Sequence, residues 1–195
     1  MKKILLGLFA LFISLNSSSA LSASISVDMI SGGTIDNSLS LSSGSTFDVD
    51  IVINDVIDIA GFEFILGFDS TVLSATSITS GDIFGLDTFL IDDTINANSV
   101  SFSETTFAFF GLDINTQTVL ATISFDAIAA GTSDLLLSNI FLSDSFAFEI
   151  TPVTIADANI TIPGTSTIPE PSVLWLLFFG LIGGIAINRK QHSNA

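Results

Sequence analysis

Alternation of apolar and polar residues is the feature that most restricts how this chain folds. In FDVDIVI, residues 47–53, apolar side chains occupy every second position, and Asp48 and Asp50 lie between them. FEFILGF, residues 62–68, repeats the pattern with Glu63 between two phenylalanines. Because the side chains of a β-strand point alternately to opposite faces, this period of two predicts strands with one buried face.

The rest of the middle region has the same character. Short breaks rich in Gly, Ser, Asn and Asp separate further apolar stretches, and no stretch combines helical periodicity with caps. Strands are also predicted at residues 25–29, 72–79, 89–95, 99–110, 119–128, 134–142 and 154–162. About nine short strands at turn spacing are typical of a sandwich or jelly roll, so the predicted fold class is all-β.

Charge is divided unevenly along the chain. Of the 4 basic and 20 acidic residues, the basic ones stand at positions 2, 3, 189 and 190, whereas the acidic ones all lie between Asp28 and Glu170. A purely anionic middle region repels nucleic acid and anionic lipid headgroups, so we expect no nucleic-acid partner. The lack of cysteine excludes a disulfide framework and a thiolate metal site.

The N-terminus predicts export. Lys2 and Lys3 are followed by an apolar run at residues 4–15 and by the small residues of NSSSALSA. A cationic start, an apolar centre and a cleavage site after Ala20 or Ala23 are typical of a secretory signal peptide, which we place at residues 1–23. A first membrane span is the alternative, but this apolar run is shorter than the ~20 residues that cross a bilayer.

The C-terminus contains an apolar run flanked by prolines and cations. The run follows a linker at residues 163–171 and precedes Arg189 and Lys190. It predicts a transmembrane helix at residues 172–188, with the basic tail at residues 189–195 in the cytoplasm and everything upstream outside. The alternative is a buried C-terminal helix of the domain, which the proline-flanked linker disfavours.

The linker ends in the motif Pro169, Glu170 and Pro171, and the apolar run and the cations Arg189 and Lys190 come after it. This order of parts resembles the PEP-CTERM sorting signal of Gram-negative bacteria. The resemblance implies that an integral-membrane transpeptidase-like enzyme, exosortase, recognises the signal and processes the protein near the motif. Exosortase is therefore one expected partner, and the inner membrane is another, through the predicted helix.

A long stretch of the middle region, GSTFDVDIVINDVIDIAGFEFILGFDSTVLSATSITSGDIF at residues 44–84, has a distinctive order of parts. A strand and a short loop precede IAGFEF, an aromatic-Asp-x-x-Val-Leu turn and Gly-Asp-Ile follow, and VSFSET and TVLATISFDAIAAGTSDLLLSNIFLSD come later. The stretch resembles a cohesin domain. Phe68 stands where the family usually has Tyr, and Ser70 where it has Pro.

The resemblance implies a cohesin-like jelly-roll β-sandwich of about nine strands at residues 24–162. Cohesins bind dockerin modules and assemble polysaccharide-degrading complexes on cell surfaces. The resemblance therefore implies a non-catalytic recognition module with a dockerin-like partner.

Aligning IAGFEF and FSET with the matching cohesin strands places Glu63 and Glu104 at acidic positions that contact dockerin in the family. Alternation predicts that the phenylalanines flanking Glu63 face the core and turn it outward, and that Phe102 likewise leaves its neighbours to solvent. Gly61 stands where the family has Asn, so the resemblance predicts a partner that differs from the usual dockerin. The alternative is that both glutamates are simply solvated carboxylates.

The domain lacks the side chains that most enzymes use. Residues 24–162 contain no His, Cys, Lys, Arg or Tyr, and the only histidine, His192, lies in the predicted cytoplasmic tail. Serine and threonine therefore have no base to activate them. Paired carboxylates could hydrolyse a glycoside, but the acidic residues are scattered over predicted strand faces, and we predict no catalytic site.

Calcium is the one cofactor that the acidic residues allow. Three pairs near loops offer hard oxygen ligands: Asp48 and Asp50, Asp55 and Asp58, and Asp92 and Asp93. The sequence contains no D-x-[DN]-x-[DN]-G-x5-E loop, and Asp48 and Asp50 are expected to point outward as solvated positions. We therefore assign no metal ligand, and calcium binding stays an open alternative.

Direct sugar stacking is disfavoured because the domain has no Tyr and the one Trp, Trp175, lies in the predicted span. The sequence thus predicts an exported cohesin-like module that is sorted by exosortase and binds a dockerin-like or glycan-associated partner at the cell surface or in the extracellular matrix. The alternative is a calcium-dependent adhesin or a structural matrix protein with no dockerin partner.

Overall fold

Two packed β-sheets account for most of residues 22–164, which are the residues that the computed structural model describes. In chain order the strands are β1 (Ala23–Asp28), β2 (Ser38–Ser40), β3 (Thr46–Asn54), β4 (Val56–Gly67), β5 (Leu73–Ser80), β6 (Thr88–Ile95), β7 (Ser99–Thr106), β8 (Leu112–Ile114), β9 (Thr118–Ala127), β10 (Gly131–Asp144), β11 (Val153–Ala156) and β12 (Ala158–Ile162). One 3-10 turn, Gly85–Asp87, precedes β6. The predicted all-β sandwich is confirmed.

The strand order places sequence-distant segments side by side. One sheet has the order β11-β1-β3-β9-β5, and the other has the order β2-β12-β10-β4-β7-β6, with β8 paired to β4. β4 lies between β10 and β7, antiparallel to both. The centre of the second sheet is therefore built from β4, β7 and β10, one strand from each of the three stretches on which the sequence resemblance rests.

The sandwich has twelve strands in the described residues, rather than about nine. Part of the difference comes from the short strands β2 and β8, and part from a predicted strand at residues 154–162 that is in fact two strands. β11 pairs in parallel with β1, whereas β12 pairs with β10 in the other sheet, so the chain changes sheets at Asp157. The Asp157 carboxylate accepts a hydrogen bond from the Leu137 backbone N–H at 2.8 Å and holds this crossing in place.

Phenylalanine rings fill the space between the sheets. Phe62 and Phe64 of β4 and Phe102 of β7 are all at least 98% buried, and the ring of Phe102 lies 6.0 Å from each of the other two. Phe68, next to β4, meets Phe125 of β9 edge-to-face at 5.2 Å, which joins the two sheets. Alternation in β4 has therefore placed its aromatic side chains in the core, as the sequence predicted.

The targeting segments lie almost wholly outside the described residues. The predicted signal peptide at residues 1–23 overlaps them only at Ser22 and Ala23, and the predicted transmembrane helix at residues 172–188 lies beyond them. Within residues 22–164, no helix has the length and apolar character that a membrane span requires.

The core assignment predicts a clear difference between two phenylalanines. Phe64→Ala leaves a cavity where a fully buried ring was, and we expect the free energy of unfolding to fall by about 3–5 kcal/mol. Phe148→Ala removes the same atoms from a side chain that is 69% exposed, so we expect a change within about 0.5 kcal/mol. Urea denaturation followed by circular dichroism measures both, and equal losses would contradict this core.

Candidate partner-binding face

The outer surface of β10, β4, β7 and β6 carries the sequence-predicted Glu63. Glu63 is half-buried on β4, with Phe141 of β10 and Ser103 of β7 as its paired neighbours. Because residues paired directly across an antiparallel sheet share a face, all three side chains project to the outer side, away from Phe62 and Phe64. The predicted outward direction of Glu63 is confirmed.

A bulge in β10 brings an amide to Glu63. The pairing of β10 with β4 shifts between Ser138 and Phe141, and Asn139 in this bulge has a φ of 50°. Asparagine tolerates this left-handed conformation better than most residues. Its Nδ2 donates a hydrogen bond to Glu63 Oε1 at 2.9 Å, which orients the carboxylate.

Gly61, two residues before Glu63, occupies a narrow space between two hydroxyl groups. A Cβ atom at this position would lie 2.8 Å from Ser143 Oγ and 3.2 Å from Thr105 Oγ1. Thr105 Oγ1 in turn donates a hydrogen bond to the Ala60 carbonyl at 3.0 Å. The hydroxyls therefore fill the volume that the Asn side chain would need, and they explain why Gly is accommodated where the family has Asn.

Asp92 adds a second carboxylate to this face, at its β6 edge. Its carboxylate accepts hydrogen bonds from the hydroxyls of Ser101 and Thr94. Both hydrogen bonds lower the pKa of Asp92, and the bond from Ser101 has the larger effect. The carboxylate therefore remains ionised. Sequence patterns indicated Asp92 only as a calcium candidate, because its position on the same face as Glu63 depends on the pairing of β6 with β7.

Glu104 lies on the opposite side of the sheet, and the expectation that it is exposed was wrong. Its exposed fraction is 2%, and its paired neighbour on β4 is the core residue Phe62. Glu104 stands two positions after Phe102, so the same period of two that turns Glu63 outward turns Glu104 inward. Ser80 Oγ donates a hydrogen bond to Glu104 Oε2 at 3.0 Å, and burial, with a smaller contribution from Asp82, raises the pKa of this carboxyl group.

The expected solvation of Asp50 was also wrong. Asp50 is 5% exposed and lies directly opposite Asp28 of β1, which is 1% exposed. The loop after β1 covers Asp50, whose carboxylate accepts hydrogen bonds from Ser31 and Thr122. Within the described part of the chain, no group of three or more His, Cys, Asp or Glu residues lies close enough together to hold a metal ion.

The chain matches two family models. Residues 33–168 match the model of the cohesin domain. The chain belongs to the cohesin family. Residues 167–190 match the PEP-CTERM protein-sorting motif, in agreement with the resemblance of the PEP motif and the basic end. A comparison with curated protein sequences finds no match.

Solved cohesin structures share the fold of this chain at low sequence identity. The third cohesin of ScaC from Acetivibrio cellulolyticus, solved in complex with the ScaB dockerin, has a TM-score of 0.58 and 17% identity over 73% of this chain and 99% of its own. CaCohA2 from Clostridium acetobutylicum has the same TM-score and identity, over 77% and 96%. A non-cellulosomal cohesin from the archaeon Archaeoglobus fulgidus has a TM-score of 0.56 and 14% identity, over 74% and 94%.

The buried Glu104 predicts a pH-dependent stability. Its pKa is raised in the folded state, so the free energy of unfolding falls as the pH rises from the unfolded-state pKa of about 4.3 through the higher folded-state value. Glu104→Gln removes the buried charge and keeps an oxygen that can accept from Ser80. We expect this variant to be more stable than the wild type at pH 7 and equally stable near pH 4.

Thermal unfolding at a series of pH values measures this difference. Glu149→Gln is the matched control, because Glu149 is exposed and its substitution should change stability by less than about 0.5 kcal/mol at either pH. A stability difference between Glu104→Gln and wild type that is the same at every pH would contradict the assignment.

Proposed function

We propose that the protein is an exported, non-catalytic recognition module that binds a dockerin-type protein through the outer face of β10, β4, β7 and β6. The observation that carries this proposal is the position of Glu63 at the centre of that face, oriented by Asn139, on a cohesin fold. Related cohesins of the same fold have been solved in complex with dockerins, and this supports the class of partner.

The chemistry of the face indicates what the partner must supply. Glu63 and Asp92 are acceptors, and the residues between them on β7, Ser101 and Ser103, are small and hydroxylated. Phe141, which is 43% exposed beside Glu63, adds apolar surface. A complementary partner carries hydroxyl or cationic donors around an apolar contact, because hydrogen bonds to charged groups are the strong ones.

A non-catalytic role follows from the available side chains. Residues 22–164 contain no His, Cys, Lys, Arg or Tyr, so the bases that most often activate a serine and the cations that stabilise an oxyanion are missing there. Glu104, which is buried against Phe62, is not proposed as a partner contact. Its role is to hold β7 against the end of β5 through Ser80.

Export and sorting complete the proposal. The PEP-CTERM match supports processing by an exosortase and a final place at the cell surface or outside the cell. Signal cleavage after Ala20 fits the fold better than cleavage after Ala23, because Ala23 is buried and pairs with Val153 in the first sheet. Ser22 also donates a hydrogen bond to the Pro152 carbonyl at 3.3 Å.

Two single variants test the partner face, each of which removes one carboxylate from a different sheet of the sandwich. We expect Glu63→Ala to weaken binding of a dockerin-type protein, captured from the host's secreted proteins, by about 1–3 kcal/mol. Asp126→Ala is the matched control, because Asp126 is a half-buried carboxylate on β9 of the other sheet. Equal losses by calorimetry would show that general negative charge, and not this face, governs binding.

Sorting is tested at the motif. In a host with an exosortase, we expect the wild type to lose its C-terminal segment, and Pro169→Ala combined with Glu170→Ala to stay uncut in the inner membrane. Pro163→Ala, a proline of the same linker outside the motif, should be processed normally. Intact-mass measurement reads the result, and an exported wild type that still carries residues 173–195 would exclude this processing.

A further inference from the structure

Five phenylalanine side chains stand in solvent at one end of the sandwich. Phe107, Phe109 and Phe110 lie in the loop between β7 and β8, Phe146 and Phe148 lie in the loop between β10 and β11, and each is 69–84% exposed. We call these five residues the phenylalanine tip. A covered Phe buries about 150–250 Å², so the tip exposes roughly 500–1,000 Å², against ~300–600 Å² for the largest apolar patch of a typical monomer.

One carboxylate joins the two loops of the phenylalanine tip. Asp58 accepts a hydrogen bond from the Gly111 backbone N–H at 2.9 Å and from Ser145 Oγ at 2.7 Å. Gly111 follows Phe110, and Ser145 precedes Phe146, so the two loops meet at this point. A Cβ atom at Gly111 would lie 2.5 Å from the Asp58 carbonyl, and only glycine permits this close approach.

Further hydrogen bonds hold the phenylalanines in their exposed positions. Asp144 Oδ1 accepts from the backbone N–H groups of Phe146 and Phe148 at 2.9 and 2.8 Å. The backbone N–H of Phe107 donates to the Asp87 carbonyl at 3.0 Å, and its ring lies 5.2 Å from that of Phe89. The phenylalanine tip is therefore ordered before any partner arrives, which lowers the entropic cost of binding.

Negative charge surrounds this apolar surface. Asp87, Asp113 and Glu149 are exposed beside the two loops. The Ser145 hydroxyl lowers the pKa of Asp58 between them, so this group also remains ionised. Residues 22–164 contain no Lys, Arg or His to pair with these groups, so cationic side chains of a partner can pair with them.

We propose that the phenylalanine tip docks a protein segment that combines apolar side chains with Lys or Arg. Its apolar residues cover the five rings, and its cations pair with the carboxylates around them. This surface goes beyond the face that carries Glu63, because it is built from the loops at the strand ends and not from the strands.

Charge disfavours the other occupants of such a surface. A second copy of this chain, or an anionic lipid surface, would bring like charges together at the phenylalanine tip.

Two model peptides with the same leucine pattern test the proposal, one with lysine and one with glutamate at the polar positions. We expect the exported protein to bind the leucine–lysine peptide in fluorescence anisotropy and not the leucine–glutamate peptide. Phe109→Ser combined with Phe148→Ser should weaken binding at least ~10-fold. Ile128→Ser combined with Leu136→Ser removes two exposed apolar side chains elsewhere and should weaken it less than ~2-fold.

Several results would overturn this docking surface. Equal weakening by the two double variants, or equal binding of both peptides, would show that the phenylalanine tip or its charge has no part in binding. Self-association in sedimentation velocity that the Phe109→Ser and Phe148→Ser variant abolishes would assign the surface to a second copy. Phe-dependent binding to neutral phosphatidylcholine vesicles, without peptide binding, would assign it to lipid. Glu63→Ala should keep full peptide binding, so this test is separate from that of the proposed function.

Discussion

The hydrogen bond from a neutral donor, whether a hydroxyl, a side-chain amide or a backbone N–H group, to a carboxylate is the interaction on which the polar part of this domain depends. No cation is available in residues 22–164, so carboxylates that approach the protein interior must be stabilised by neutral donors. Thr122 serves Asp50, Ser80 serves Glu104 and Ser145 serves Asp58 in this way. Hydrogen bonds in which the acceptor is ionised are stronger than those between neutral groups.

The same interaction positions both proposed binding surfaces. Asn139 fixes Glu63 on the outer face of β4, and Asp58 and Asp144 fix the two loops of the phenylalanine tip. A carboxylate held by neutral donors keeps its negative charge, whereas an ion pair would cancel it. The domain therefore keeps a strongly negative net charge, which favours partners that bring cations or hydroxyl donors.

Alternation in the sequence predicted much of the fold, since Phe62, Phe64 and Glu63 lie on the expected sides of β4. It failed where the outcome depends on contacts between distant segments. Asp50 has the period of an exposed residue, but a loop from β1 covers it. The apolar positions change phase at Ile155 and Ala156, but this local break does not indicate that β11 pairs with β1 in one sheet and β12 with β10 in the other. Glu104 was a different error, since the alternation itself places it on the side of Phe102.

The phenylalanines show why alternation alone does not decide burial. Phe-Ala-Phe occurs at residues 107–109 and again at 146–148, with the spacing that places Phe62 and Phe64 in the core. The stretch at residues 99–110 was accordingly predicted to be one strand, yet β7 ends at Thr106. Burial requires a second sheet opposite the apolar side, and beyond Thr106 and Asp144 the chain has passed the end of the sandwich. The period of two therefore states only that one side is apolar. The surrounding fold decides whether that side becomes core or an exposed surface that a partner can cover.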